Sequence, residues 1–263
     1  MSELAAHVDD YLRLRRGLGF KLAYEGVLLP RFARYMTTID AFTQVPPAGV
    51  FGCQGPRPTP YLWSEHDISR LLKAARNLQA PFRAATYESF LGLLAVSGLR
   101  SGEAMSLQAD DVDLDAGVIT VSQAKSGRTR LIPLHPSTTT QLRSCADRRD
   151  ELHPRPRSNT FFISEVATCL KSSTVDHTFR NLVTSLELGS STVRPRMHDL
   201  RHTFAVHTLI SWHRAGHDIE ARIPALVSYL GHVNPASTYW YLSASPELMG
   251  LAADRLGEHF GER

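Results

Sequence analysis

The sequence predicts a mainly α protein with a small antiparallel β-sheet (α+β). Three observations predict it. Apolar residues recur at helical spacing through most of the chain. One pair of short runs, the β-branched Val118-Ile119-Thr120-Val121 and the apolar-rich Arg130-Leu131-Ile132-Pro133-Leu134, flanks a polar, glycine-bearing stretch from Ala124 to Thr129. That is the pattern of two strands joined as a hairpin. A stretch over residues 45–60, with Pro46, Pro47, Pro56, Pro58 and Pro60, divides a short helical front from the remainder.

In chain order, Leu4, Val8, Tyr11, Leu12 and Arg15 share one face of a helix over 3–16, and Val27, Leu28, Phe32, Tyr35 and Met36 do so over 27–40, with Gly17 and Gly19 between them. Ser64 followed three residues later by Asp67 opens a helix that runs to about Leu78. An apolar helix over 82–97 stops at Gly98. After the hairpin, helices are expected over roughly 136–149, 174–187, 198–214, 219–230, 235–242 and 246–258. Asn234-Pro235 supplies an N-cap with proline at the first helical position.

Composition excludes several classes. A 43% hydrophobic and 21% charged balance is that of a globular chain, not of a disordered or fibrous one. The longest nearly apolar run, Phe90 to Leu99, is too short to span a bilayer. The start, Met-Ser-Glu-Leu-Ala-Ala-His, lacks the form of a secretory signal, and three cysteines with no CxxC fit reduced thiols. Both point to the cytoplasm, with no membrane association. The net charge of +3 is compatible with nucleic acid without requiring it. Only four lysines stand among the 29 basic residues. Arginine is the donor that grips phosphate or carboxylate through two bonds; a codon bias would produce the same excess.

Four segments concentrate unusual polar residues. In Ser97-Gly98-Leu99-Arg100-Ser101-Gly102-Glu103, an arginine follows the glycine that ends a helix, with Glu103 placed to pin it; taken alone this is equally a capping ion pair. The hairpin tip carries Lys125, Arg128 and Arg130, a cationic finger able to reach a nucleic-acid backbone, or simply a solvated turn. In His198-Asp199-Leu200-Arg201-His202, His198 and Arg201 project from one helical face, pairing a group that titrates near neutrality with a fixed charge. The spacing of His198 and His202 also fits a zinc-binding H-x-x-x-H helix, but Arg201 would then lie beside the dication. Finally, Leu230-Gly231-His232 is followed by Thr238-Tyr239-Trp240-Tyr241. The two tyrosines sit about 200° apart on a helix, so they cannot both face one site.

Two arginines, a lysine, two histidines and a tyrosine suit a phosphodiester without a metal. The arginines can clamp the non-bridging oxygens and offset the charge of the transition state. A tyrosine oxygen can be the nucleophile, and a lysine can protonate the leaving oxygen.

The order and spacing of these residues resemble the tyrosine recombinase (phage integrase) family: Arg100 in G-L-R-S-G-E-A, Lys125 in A-K-S-G-R-T-R-L-I-P-L, His198 and Arg201 in H-D-L-R-H-T-F-A, His232 in L-G-H, and Tyr241 nine residues later. The resemblance covers residues 61–258, within a catalytic domain expected over 61–263. T-Y-W-Y-L-S-A-S-P-E-L resembles more narrowly the transposon- and plasmid-borne members, which act in mobile-element integration and transposition. The resemblance implies that Tyr241 attacks a DNA phosphate to form a 3′-phosphotyrosyl link. It implies that Arg100 and Arg201 bind that phosphate, Lys125 is the general acid, His198 accepts a proton or binds phosphate, and His232 hydrogen-bonds the phosphate. Glu103 then supports Arg100, His202 buttresses the helix, and Arg128 and Arg130 contact DNA. No cofactor or metal is implied. The implied partner is double-stranded DNA, on which a homo-oligomer, a tetramer, assembles.

The front departs from the family pattern. Residues 1–45 offer two helices where the family places a larger helical core-binding (SAM-like) domain, so this region reads as truncated, with 46–60 as the linker. That leaves an alternative open: a catalytically weak or inactive DNA-binding relative. The apolar face of 246–258, with Leu248, Met249, Leu251, Ala252 and Leu256, fits docking into a neighbouring protomer or packing on its own domain.

Overall fold

The computed structural model describes residues 3–17, 22, 25–39, 59–122, 129–190, 193–231 and 250. The chain divides into two units, Met1–Pro58 and Thr59–Arg263. In the first, α1 (Glu3–Gly17) packs on α2 (Glu25–Ile39), and Leu12, Ala33 and Met36 are buried. Both helices fall within two residues of the bounds read from apolar spacing.

The second unit is built around one apolar helix. α3 (Glu65–Arg76) starts where expected: the Ser64 hydroxyl oxygen accepts the Asp67 N–H at 3.0 Å, and Leu71 and Ala75 turn inward. α4 (Pro81–Ser97) carries proline at its start and buries Phe90, Leu91, Leu93 and Leu94. Those residues lie on several sides because α3, α6 (Pro136–Leu152) and α8 (Met197–Arg214) all pack on it; a helix covered on most sides loses its polar face. Trp63, Phe90, Phe162 and Leu142 complete this core.

The sheet has three antiparallel strands, β1 (Val112–Asp113), β2 (Val118–Ser122) and β3 (Thr129–Pro133), in the order β1-β2-β3. The hairpin was legible in the sequence. β1 was not, nor was α5 (Ser101–Ser106): two residues and six are too few to set up a period. Register fixes direction. Ile119 pairs with Ile132 and Val121 with Arg130. Side chains alternate across a strand, so Arg130 shares the core-facing side with Ile132, while Leu131 points outward.

The helix expected over 174–187 is α7 (Ser172–Ser185). It is followed by α8 and by α9 (Ile219–Leu230), which is capped by Asp218 accepting the Ala221 N–H at 3.2 Å. Leu209, Ile223, Leu226 and Leu230 make a second core between α8 and α9. The helices expected over 235–242 and 246–258 lie outside the described residues. No described helix is long and apolar enough to cross a membrane.

Candidate active site

Two helices end in left-handed glycines. Gly98 closes α4 at φ 61° and Gly231 closes α9 at φ 66°. Glycine takes this conformation without a Cβ penalty and lets the helix stop abruptly. Each end leaves backbone carbonyls without an intrahelical partner, at the negative end of the helix dipole. Arg201 of α8 sits between them. It is only 1% exposed, and it donates from Nη1 to the Gly98 carbonyl at 2.8 Å and from Nη2 to the Leu230 carbonyl at 2.5 Å. A buried guanidinium is tolerated there because its charge meets oriented carbonyl dipoles.

Arg100 stands two residues after Gly98 as the N-cap of α5. Its Nη2 donates to the Gly231 carbonyl at 3.0 Å. The two arginines of the sequence pattern therefore meet at adjacent carbonyls, Leu230 and Gly231, at the end of one helix. Glu103 holds Arg100 from below: its Oε1 accepts Nη1 at 2.7 Å and its Oε2 accepts the Arg100 backbone N–H at 2.9 Å. The same Oε2 accepts Arg130 Nη2 at 2.6 Å. Burial pushes the Glu103 carboxyl upward, but the Arg130 hydrogen bond, the Arg100 backbone N–H, the Arg130 charge and the Arg100 side-chain hydrogen bond outweigh it and hold it below the usual carboxylate range.

His198 is aimed by the first turn of α8. Arg196 and the fully buried Asp199 close a box: the Arg196 N–H donates to Asp199 Oδ2 at 2.8 Å and Nη2 to Oδ1 at 2.9 Å, and the Asp199 N–H donates to the Arg196 carbonyl at 2.9 Å. The His198 ring reaches solvent and stands edge-on to the buried His202 ring, centroids 4.7 Å apart. Partial desolvation lowers the His198 pKa, and the Arg201 charge lowers it further, against an upward pull from Asp199; Arg196 and Arg100 also push it down. A neutral imidazole at neutral pH can accept a proton. Tyr229, stacked on Phe204 at 5.5 Å, is half-buried; burial raises its phenol pKa, and the charges of Arg130 and Arg201 pull it down.

The structure thus brings Arg100, Glu103, Arg130, His198, Arg201 and His202 to one locality. Lys125, Arg128, His232 and Tyr241 lie outside the described residues. Gly231, which accepts from Arg100, is the residue immediately before His232. Among the described residues no group of three or more His, Cys, Asp or Glu could hold a metal ion. The reading of residues in isolation missed the Arg196–Asp199 box and Tyr229. The i, i+3 spacing of Arg196 and Asp199 was available as a signal; nothing local marks Tyr229.

Comparisons with known proteins identify the family of the chain. Residues 63–247 match the model of the phage integrase family. A Sinorhizobium fredii protein named integrase/recombinase y4rB is 36% identical over the whole of both chains, in an alignment of 313 positions against the 263 residues here. The tyrosine recombinase XerC of Roseiflexus sp. is 26% identical, covering 88% of this chain and 70% of its own. In fold, the chain is similar to the XerA recombinase (TM-score 0.61, 23% identity, 94% of this chain and 82% of that one). It is also similar to the Tn1549 transposon integrase in complex with transposon right end DNA (TM-score 0.63, 17% identity, 96% and 85%). The family model spans more than half of the chain and a relative is 36% identical along its whole length, so this protein belongs to the phage integrase family of tyrosine recombinases.

Proposed function

We propose that this chain is a site-specific DNA recombinase that cleaves and rejoins strands through a 3′-phosphotyrosyl intermediate. One observation carries the reading: Arg100 and Arg201, 101 positions apart in sequence, donate to neighbouring carbonyls at the C-terminus of α9. A phosphate seated at this helix end meets the part-exposed Arg100 guanidinium with the charge of the buried Arg201 behind it, and Glu103 neutralises only part of the charge around it.

In the proposed step the Tyr241 hydroxyl oxygen attacks phosphorus while the bond to the 5′-oxygen breaks. Neutral His198 takes the tyrosine proton, Lys125 gives a proton to the leaving 5′-oxygen, and His232 hydrogen-bonds a non-bridging oxygen. The guanidiniums stabilise the charge that builds on the non-bridging oxygens. One phosphodiester is exchanged for another, so neither ATP nor a metal is needed, and the free 5′-hydroxyl of a second strand reverses the chemistry to rejoin. Double-stranded DNA is the substrate, in keeping with DNA-bound relatives such as XerH on difH and the Tn1549 integrase on its transposon end. Four copies assembled on two sites would complete an exchange.

A pooled library of nicked duplexes of randomised sequence tests this. Wild-type protein should yield SDS-resistant adducts whose sequences converge on a site; Tyr241→Phe should yield none and Tyr239→Phe should keep them. Adducts persisting in Tyr241→Phe refute the assignment. A second reading, a DNA-binding relative with little cleavage, is favoured by the y4rB alignment, in which the relative carries residues opposite gaps in this chain. It predicts salt-sensitive DNA binding and no adduct from the wild type.

A further inference from the structure

The Glu103 carboxylate poses an electrostatic problem. A carboxylate 2.7 Å from Arg100 Nη1 and 2.9 Å from its backbone N–H holds the side chain in place, but it also cancels most of the charge that a phosphate would feel. A lone Arg–Glu pair is a neutral object. For Arg100 to keep both its buttress and its own charge, that carboxylate needs a second cation.

Arg130 meets that requirement. Strand register turns it inward opposite Val121, where its side chain is 11% exposed. Its Nη2 lies 2.6 Å from Glu103 Oε2, the oxygen that Arg100 approaches only through its backbone. Glu103 thus divides its two oxygens between two guanidiniums, leaving the trio one positive charge in excess. Two further Arg130 nitrogens, Nε and Nη1, are buried with no hydrogen-bond partner among the described residues. Arg130 is therefore not presented to a DNA backbone by the described fold; it is aimed at Glu103. A solvent-exposed cation would be screened and would hold a carboxylate weakly, whereas an inward one acts through less solvent.

Resting on the recombinase reading above, we propose that Arg130 is a positioning residue that offsets the Glu103 charge and so leaves the Arg100 guanidinium available to a phosphate. Arg130 acts through Glu103 and makes no DNA contact of its own, in place of the backbone-contacting role expected from its position beside the hairpin tip.

The test uses the full chain with two probes that do not depend on cleavage. Inorganic phosphate is titrated while the His198 imidazole resonance, assigned by its loss in His198→Asn, is followed by NMR. Affinity for sheared duplex DNA is measured against salt concentration. Arg130→Gln should weaken phosphate about tenfold, the order expected for losing one nearby partly screened charge. Arg130→Lys, which keeps a cation, should lose less. In a Glu103→Gln background the Arg130→Gln penalty should shrink below about twofold, because Arg130 then has no carboxylate to draw away from the Arg100 guanidinium. The slope of log affinity on log salt should be unchanged in Arg130→Gln. An equal phosphate penalty with and without Glu103 overturns the proposal. So does a slope reduced by about 0.9, which marks a lost phosphate contact, and so does an undiminished phosphate affinity. If wild-type protein forms no covalent adduct while these phosphate results hold, the recombinase reading fails and the role of Arg130 stands. If wild-type His198 shows no response to phosphate, both fail.

Discussion

Replacing Arg201 by methionine removes a guanidinium while leaving an unbranched side chain about as long as the arginine stem. The wild-type group bridges the Gly98 carbonyl at 2.8 Å and the Leu230 carbonyl at 2.5 Å. Hydrogen bonds from a charged donor contribute roughly 1.5–3 kcal/mol each, and a buried carbonyl left without a partner costs about as much. Two such bonds, at the ends of two helices, put the expected loss at roughly 3–5 kcal/mol. That is a large share of the roughly 5–15 kcal/mol that holds a domain together, and it corresponds to a fall in melting temperature on the order of 10 °C for a unit of this size. The opposing effect is the relief of burying a charge at 1% exposure, which in other contexts makes apolar replacement neutral or favourable. Here the partners left behind are carbonyl dipoles that nothing apolar can satisfy, so loss should win. Arg201→Lys keeps the charge but an ammonium cannot span both carbonyls, and it should lose about half as much. Urea unfolding of the three proteins, compared by midpoint at constant slope, decides the matter. A methionine variant within about 1 kcal/mol of wild type would show that the desolvation cost had cancelled the two bonds. The guanidinium would then be kept for phosphate alone.

Other consequences concern neighbouring residues. Gly98→Ala places a Cβ 2.5 Å from the Phe204 ring at a φ of 61°, so both sterics and backbone oppose it; a loss of about 2–4 kcal/mol in the same unfolding assay is expected. His198 should titrate below the ordinary histidine value of about 6.5 by NMR, and Arg201→Lys should leave it depressed while Arg201→Met lets it rise. Because the folded-state value is depressed, the unfolded chain binds the proton more readily. This residue's contribution to stability is therefore present above pH ~6.5 and falls as the pH drops below it, levelling once the folded form also protonates.

Much of the molecule could be read from local pattern. Helix α4 announces itself by an apolar run bounded by Pro81 and Gly98, and α3 by the Ser64–Asp67 spacing. The hairpin shows as two short strand-like runs around a polar turn, while the placing of Arg130 on the face of Ile132 came from the register. Short elements escaped, since α5 and β1 are too short to repeat the periods that would reveal them.

By itself the sequence determined which long segments become helix and where the hairpin strands lie, where glycine stops a helix, and which side chains of a known family pattern are present. Those are decided by neighbours within a few positions, through backbone sterics and the spacing of apolar residues. Only the tertiary structure decided whom the charges meet. Arg201 reaches carbonyls 103 and 29 positions away, Arg100 one 131 positions away, and Arg130 a carboxylate 27 positions away. Such pairings depend on how α4, α8, α9 and the sheet pack together. The choice between a cation that faces DNA and one that serves a buried carboxylate is made by that packing, because a long side chain leaving the backbone at one point can end in water or in the core.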